Sequence, residues 1–156
     1  MTKDNKKFNA RYIILAVIIL LLAISLATRY YGIIDIKDYT NTAKFFAGEY
    51  NAKLRSAHSV VYGMIHTPLV SLTHSFIFFK ITSVLWLSLI ILSLYYISKK
   101  NKKTLLLFLV SPILWYMAPY INSIQLATLL FLWGYYFIKK YDEKEKLKHL
   151  FFSGML

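Results

Sequence analysis

The chain has 156 residues, of which 58% are hydrophobic, 17% aromatic and 17% charged, with 19 Lys and Arg against 7 Asp and Glu and no cysteine. A soluble domain is nearer half apolar and a quarter charged, so these proportions exclude an ordinary soluble enzyme and a disordered chain alike. The lack of cysteine excludes a disulfide scaffold and a thiolate metal or redox centre.

The sequence predicts an all-α membrane protein of one membrane domain, residues 1–156, with about four transmembrane helices. Residues 1–11 are polar and basic and precede an uncharged run over 12–28, the first expected span. At 1.5 Å per residue that run reaches roughly 25 Å, close to the hydrocarbon thickness of a bilayer. A cleaved signal peptide would carry a shorter apolar stretch and no later spans, so an uncleaved helix is the better reading. Residues 29–76 form a long external loop. The second span is expected over 77–98, followed by a short basic segment, 99–103. The third, 104–118, contains Pro112, which removes a backbone donor and predicts a kink. The fourth covers 122–138 and is closed by Lys139 and Lys140; a polar segment, 139–148, then leads to 149–156, which read as the start of a fifth helix.

Thirteen cations sit in three short polar segments beside these runs: Lys3, Lys6, Lys7 and Arg11; Lys99, Lys100, Lys102 and Lys103; Lys139, Lys140, Lys144, Lys146 and Lys148. That placement follows the positive-inside rule, with a cytosolic amino terminus in the plasma membrane, and it argues against nucleic acid as the partner of a chain of net charge +12. Membrane lipid is the expected partner.

The external loop carries the chemistry. Tyr39, Ala43, Phe46 and Tyr50 recur at helical spacing, which predicts a short amphipathic helix lying on the membrane surface, with Gly48 near its end. Residues 60–72 hold Gly63 and Pro68 and read as a re-entrant or interfacial helix. Asp35 and Asp38 are the first acids after the first span, where a carboxylate can act as a general base or hold a divalent cation against a phosphate. Asp38 also suits a plain helix-cap role. Lys53, Arg55 and His58 are clustered cations able to neutralise a lipid phosphate. His58, His66 and His74 stand eight apart, a spacing unlike the three or four of helical metal ligands, so no metal site is assigned. Lys80, the one charge inside a span, reads as snorkelling to the surface or as a phosphate anchor.

The sequence Gly32-Ile33-Ile34-Asp35-Ile36-Lys37-Asp38-Tyr39 after a single first helix, with Ala43 and Gly48 beyond it, resembles the first external loop of the GT-C glycosyltransferases. His66-Thr67-Pro68-Leu69, Ser111-Pro112 and the segment from Leu150 to Leu156 are similar to later parts of that pattern. The family comprises multispanning enzymes using polyprenyl-phosphate sugars, the protein mannosyltransferase relatives among them. The resemblance covers residues 12–156 and corresponds to the amino-terminal part of such an enzyme, inactive alone. It implies transfer of a sugar from a polyprenyl-phosphate carrier to an acceptor on the external face. Asp35 would be the first-loop acid, as general base or metal-linked residue. Ile36 stands where many relatives carry a second acid. Two other classes compete with this reading: a small non-catalytic membrane scaffold or accessory subunit, and a small transporter, which would place more ionisable groups inside its spans.

Overall fold

The computed structural model describes residues 10–28, 36–52, 60–73, 77–144 and 147–155. Among the described residues all regular structure is helical and there is no strand. The helices are α1 (Ala10–Ala27), α2 (Ile36–Phe46), α3 (Val60–Thr73), α4 (Ile77–Ile97), α5 (Lys102–Val110), α6 (Pro112–Met117), α7 (Ile124–Lys144) and α8 (Leu147–Gly154). Two of them, α1 and α4, are long and apolar enough to cross a membrane.

α4 is the axis of the molecule and touches α1, α5 and α7. It runs antiparallel to α1, because Lys80 in its first turn meets Ser25 and Thr28 at the far end of α1. It runs parallel to α7: Phe79 and Leu126 share one apolar cluster near their beginnings, and the Trp133 indole donates to Ser93 Oγ at 3.0 Å further along. Leu21 of α1, Val84, Leu87 and Ile91 of α4, and Leu105 and Leu109 of α5 form the larger core.

The two prolines within the apolar helices act differently. α3 continues through Pro68, with the Ser71 hydroxyl bonding back to the Thr67 carbonyl at 2.7 Å. At Ser111 the backbone turns extended (φ −60°, ψ 122°), so the expected third span, 104–118, is two short helices with Pro112 opening α6. Pro suits that first helical position because it has no N–H to leave unpaired. The Leu109 carbonyl at this break receives the Trp115 indole N–H at 2.8 Å. α7 extends beyond the expected fourth span, carrying Lys139, Lys140, Asp142 and Glu143 on the same helix. Its apolar part, residues 124–138, reaches only roughly 22 Å.

α2 and α3 form a tight pair that takes up half of the face expected to lie on lipid: Tyr39 and Ala43 of α2 are buried in a cluster with Tyr62 and Val70 of α3, while Phe46 and Tyr50 are exposed and Tyr50 lies beyond the end of α2. α2 ends where Gly48 adopts φ +100°, a conformation that residues with a Cβ rarely take. The closest approach is at Gly63. A Cβ there would lie 2.5 Å from Thr42 Cγ2 and 2.6 Å from Thr42 Cβ. Gly63→Ala should therefore force the helices apart and destabilise the protein by about 1–3 kcal/mol, read as the unfolding midpoint in detergent. Because Thr42 Cβ itself is in the way, Thr42→Gly should restore stability in the double variant and Thr42→Ala should not.

Candidate functional site

The carboxyl end of α1 and the beginnings of α2, α4 and α7 meet at one end of the bundle. Helix ends leave backbone groups without intrahelical partners, and at this end side chains supply them. Asn122 Oδ1 accepts from the N–H groups of Ile124 and Gln125 at 3.1 and 3.3 Å, capping α7. Gln125 Nε2 donates to the carbonyls of Met117 and Tyr120 at 3.1 and 3.5 Å, holding the turn that precedes α7.

Lys80 does the same for α1. Its Nζ donates to the Ser25 carbonyl at 2.7 Å, to the Thr28 carbonyl, and at 3.4 Å to the Thr28 hydroxyl. The ammonium thus sits on the negative end of the α1 dipole, where a cation is most favourable. Lys80 is buried, which sets aside the snorkelling expected of it, and its ammonium is turned to helix carbonyls.

α2, α3, α4 and Ser123, just before α7, contribute a connected set of hydroxyl and aromatic groups. Tyr39 Oη lies 3.3 Å from Ser123 Oγ, and its ring meets the Tyr62 ring edge-on with centroids 4.9 Å apart. Tyr62 Oη lies 3.5 Å from Ser83 Oγ, and burial pushes this phenol up to about 12. His66 is fully buried and stacks on Phe79 with centroids 4.6 Å apart. Its Nδ1 is 2.7 Å from the Tyr62 carbonyl oxygen, which only accepts, so Nδ1 carries the hydrogen. Burial holds the imidazole below its ordinary range and therefore neutral, leaving Nε2 as an acceptor. Thr82 Oγ1 stands 2.7 Å from Nε2 and 3.0 Å from the carbonyls of Phe78 and Phe79. One hydroxyl proton is thus shared in position between the imidazole and the helix backbone.

Of the residues expected to act, Asp38 lies in the first turn of α2, buried, where an acid is favoured by the helix dipole. Asp35, Lys53, Arg55 and His58 lie outside the described residues, as does His74. Among the described residues no group of three His, Cys, Asp or Glu converges as a metal site. Tyr62, Thr82, Ser83 and Ser123 were not singled out from sequence. Their signal was present: hydroxyls on apolar helices need partners, and partners gather such groups together.

No known protein family matches this chain, and no curated protein or solved structure is significantly similar to it.

The Lys80 contact has a measurable weight. Lys80→Met keeps the side chain's length but leaves the last carbonyls of α1 without their donor. A hydrogen bond to a charged group contributes about 1.5–3 kcal/mol, so a loss of that size is expected in detergent unfolding. Lys80→Arg, which keeps the donors, should lose less, and an unaltered midpoint in Lys80→Met would show that the cap adds nothing.

Proposed function

We propose that this chain is a multispanning membrane protein of the GT-C glycosyltransferase type. In this reading α1, α4, the α5–α6 pair and α7 cross the plasma membrane with the amino terminus in the cytosol. The α2–α3 pair covers the external end. Outward-facing side chains support a lipid surround: Leu107, Val110 and Phe131 are 77%, 75% and 77% exposed, where a soluble surface would be polar. The charges support the orientation. Since α4 and α7 run parallel, Lys99, Lys100, Lys139 and Lys140 share one end, opposite Lys80 and Asp38.

The observation that carries the reading is the placement of α2. An acid-bearing helix, α2, begins directly after residue 35, carries Asp38 in its first turn, packs on α3, which bonds to α4 through His66 and Thr82, and meets Ser123, just before α7, through Tyr39. Asp35 would take the proton of the acceptor nucleophile as that atom attacks the sugar's anomeric carbon. The bond from that carbon to the carrier phosphate breaks, and the polyprenyl phosphate leaves with the electron pair. Lys53, Arg55 and His58 would neutralise the phosphate, with or without a divalent cation.

Sugar transfer tests this directly. Because the resemblance covers the amino-terminal part of such an enzyme, the assay uses native membranes, which supply any further helices the site needs; given a polyprenyl-phosphate-linked radiolabelled hexose, they should transfer label to acceptor material. Asp35→Asn should lower the rate by about a hundredfold or more, the weight of a general base, with Asp38→Asn the milder loss. Full transfer by inserted Asp35→Asn would overturn the role of that acid. A second reading, a non-catalytic scaffold or accessory subunit, is favoured by the way Lys80 and His66 are used on neighbouring helices. Transfer in native membranes that persists unchanged when this chain is deleted would select it.

Orientation is tested separately, in a chain without native cysteine. Both Asn51 and Asn101 are exposed. Asn51→Cys should react with an impermeant thiol reagent added to intact cells, and Asn101→Cys only after permeabilisation. The opposite labelling would invert the topology.

A further inference from the structure

The end of the bundle opposite Lys80 has a different character. Between the second halves of α4 and α7 lies an open groove of about 720 Å³, within the range of ordinary ligand sites. Its depth is apolar, lined by Leu89, Leu92, Leu129, Trp133 and Phe137. Towards the helix ends it continues, past Tyr96 and Tyr136, into a mouth bearing Lys99, Lys100, Lys139 and Lys140, with Glu143 the only acid among the described residues lining it. Lys100 and Lys140 line both parts, so the cationic mouth and the apolar depth are continuous.

The walls are built. Trp133 is held by its hydrogen bond to Ser93 and by stacking against Tyr96 at 6.1 Å. Lys140 Nζ lies 5.0 Å over the Tyr136 ring, which favours an ammonium position beside the groove. Lys99 and Lys100 both have left-handed backbone, φ 55° and 62°, where glycine or asparagine is the usual residue. Their N–H groups close the end of α4 on the carbonyls of Tyr96 and Tyr95 at 3.0 and 2.8 Å. Two lysines in succession in this conformation are costly, and strained residues of this kind gather at ligand sites.

We infer that this groove binds one anionic phospholipid, its phosphate among Lys99, Lys100, Lys139 and Lys140 and an acyl chain along Leu89, Leu92 and Leu129. The inference rests on membrane insertion but not on glycosyl transfer or on which way the chain faces. Among the described residues of the mouth, four ammonium groups stand against one carboxylate, which calls for an anionic head. An apolar trough running from that head along the membrane-crossing direction calls for a hydrocarbon chain attached to it. A further helix or a second copy of this chain, being apolar, would fill the trough and leave the four cations unanswered.

The experiment uses the full chain in nanodiscs or detergent, with lipid retention read by native mass spectrometry. Phosphatidylglycerol should be retained at least tenfold more strongly than phosphatidylcholine. A cation near an anionic lipid is worth about 1 kcal/mol, so Lys100→Gln with Lys140→Gln should weaken retention of phosphatidylglycerol about 30-fold. The charge-matched pair Lys102→Gln with Lys103→Gln, at the start of α5 and outside the groove, should leave it within about threefold. Leu92→Trp keeps every charge but fills the trough, and should also reduce retention. The inference is overturned by any of three results: equal retention of the two lipids, equal loss in the two lysine pairs, or competition by inorganic phosphate as strong as that by the lipid. Retention untouched by all groove variants would likewise overturn it and point to a protein segment or a second copy as the occupant. Unfolding midpoints of each variant separate these outcomes from misfolding, and the labelling of Asn51→Cys reports insertion independently.

Discussion

The arrangement of the bundle depends on a buried ammonium placed on the end of a helix. Lys80 takes the last carbonyls of α1, and in doing so fixes which residue of α4 stands beside which residue of α1. The constraint is strong because of the surroundings. In the proposed lipid setting, apolar side chains would gain little from leaving one hydrocarbon for another, so Leu21, Val84 and Leu87 would fit together without selecting a register. A cation facing carbonyl oxygens does select one, since sliding α1 by a turn would strand the charge and the carbonyls together. With α1 pinned antiparallel to α4, and α4 parallel to α7, the two ends of the molecule acquire separate compositions.

Those ends solve the problem of polar groups in opposite ways. At the Lys80 end the polar side chains are turned on each other: Tyr39 to Ser123, Tyr62 to Ser83, His66 to Thr82. Gly63 lets α2 come close enough to α3 for this to happen, so a missing side chain positions the rest. At the other end four lysines line a mouth to which the described residues add one acid, Glu143, and α4 finishes in a backbone conformation that lysine does not favour. The first end has the character of a fastened joint. The second has the character of a site awaiting a counter-charge.

Sequence patterning made part of this legible. Uncharged runs with basic edges located α1 and α4 to within two residues, because length and hydropathy are local properties. The helical recurrence of Tyr39, Ala43, Phe46 and Tyr50 located α2 but ran past it, since the helix ends at Phe46 and Gly48 marks the turn that leaves Tyr50 outside. Partnership was not legible. The same spacing that makes α2 amphipathic serves a membrane surface or another helix equally well, and α3 covers Tyr39 and Ala43 while Phe46 stays exposed. Pro68 and Pro112 look alike in sequence, yet only Pro112 is preceded by an extended residue and accompanied by an indole that answers the carbonyl at the break. Lys80 was visible as an anomaly in an apolar run, but its partners are backbone atoms some fifty positions away, and backbone carries no sequence signal. His66 drew notice through its spacing to His58 and His74, whereas its hydrogen bonds go to Tyr62 and Thr82. Asp35, Lys53, Arg55 and His58 keep the standing that residue type and order give them.

α4 joins the two ends, and its own side chains explain how it serves both. Its buried serines are spaced five apart, at 83, 88 and 93, and five residues on a helix turn through about 140° beyond a full revolution. Each therefore faces a different direction. Ser83 meets Tyr62 of α3, Ser88 bonds back to the Val84 carbonyl at 2.7 Å, and Ser93 receives Trp133 of α7. An uninterrupted helix carrying such contacts on successive faces cannot tilt towards one neighbour without opening a contact with another. The separation of α4 and α7 at the lysine-rich mouth is thus tied, through one rigid element, to the seating of α3 and α1 at the opposite end. A ligand between α4 and α7 would bear on the position of Lys80 and Thr82 through the helix itself, with no need for a chain of side chains to carry the effect.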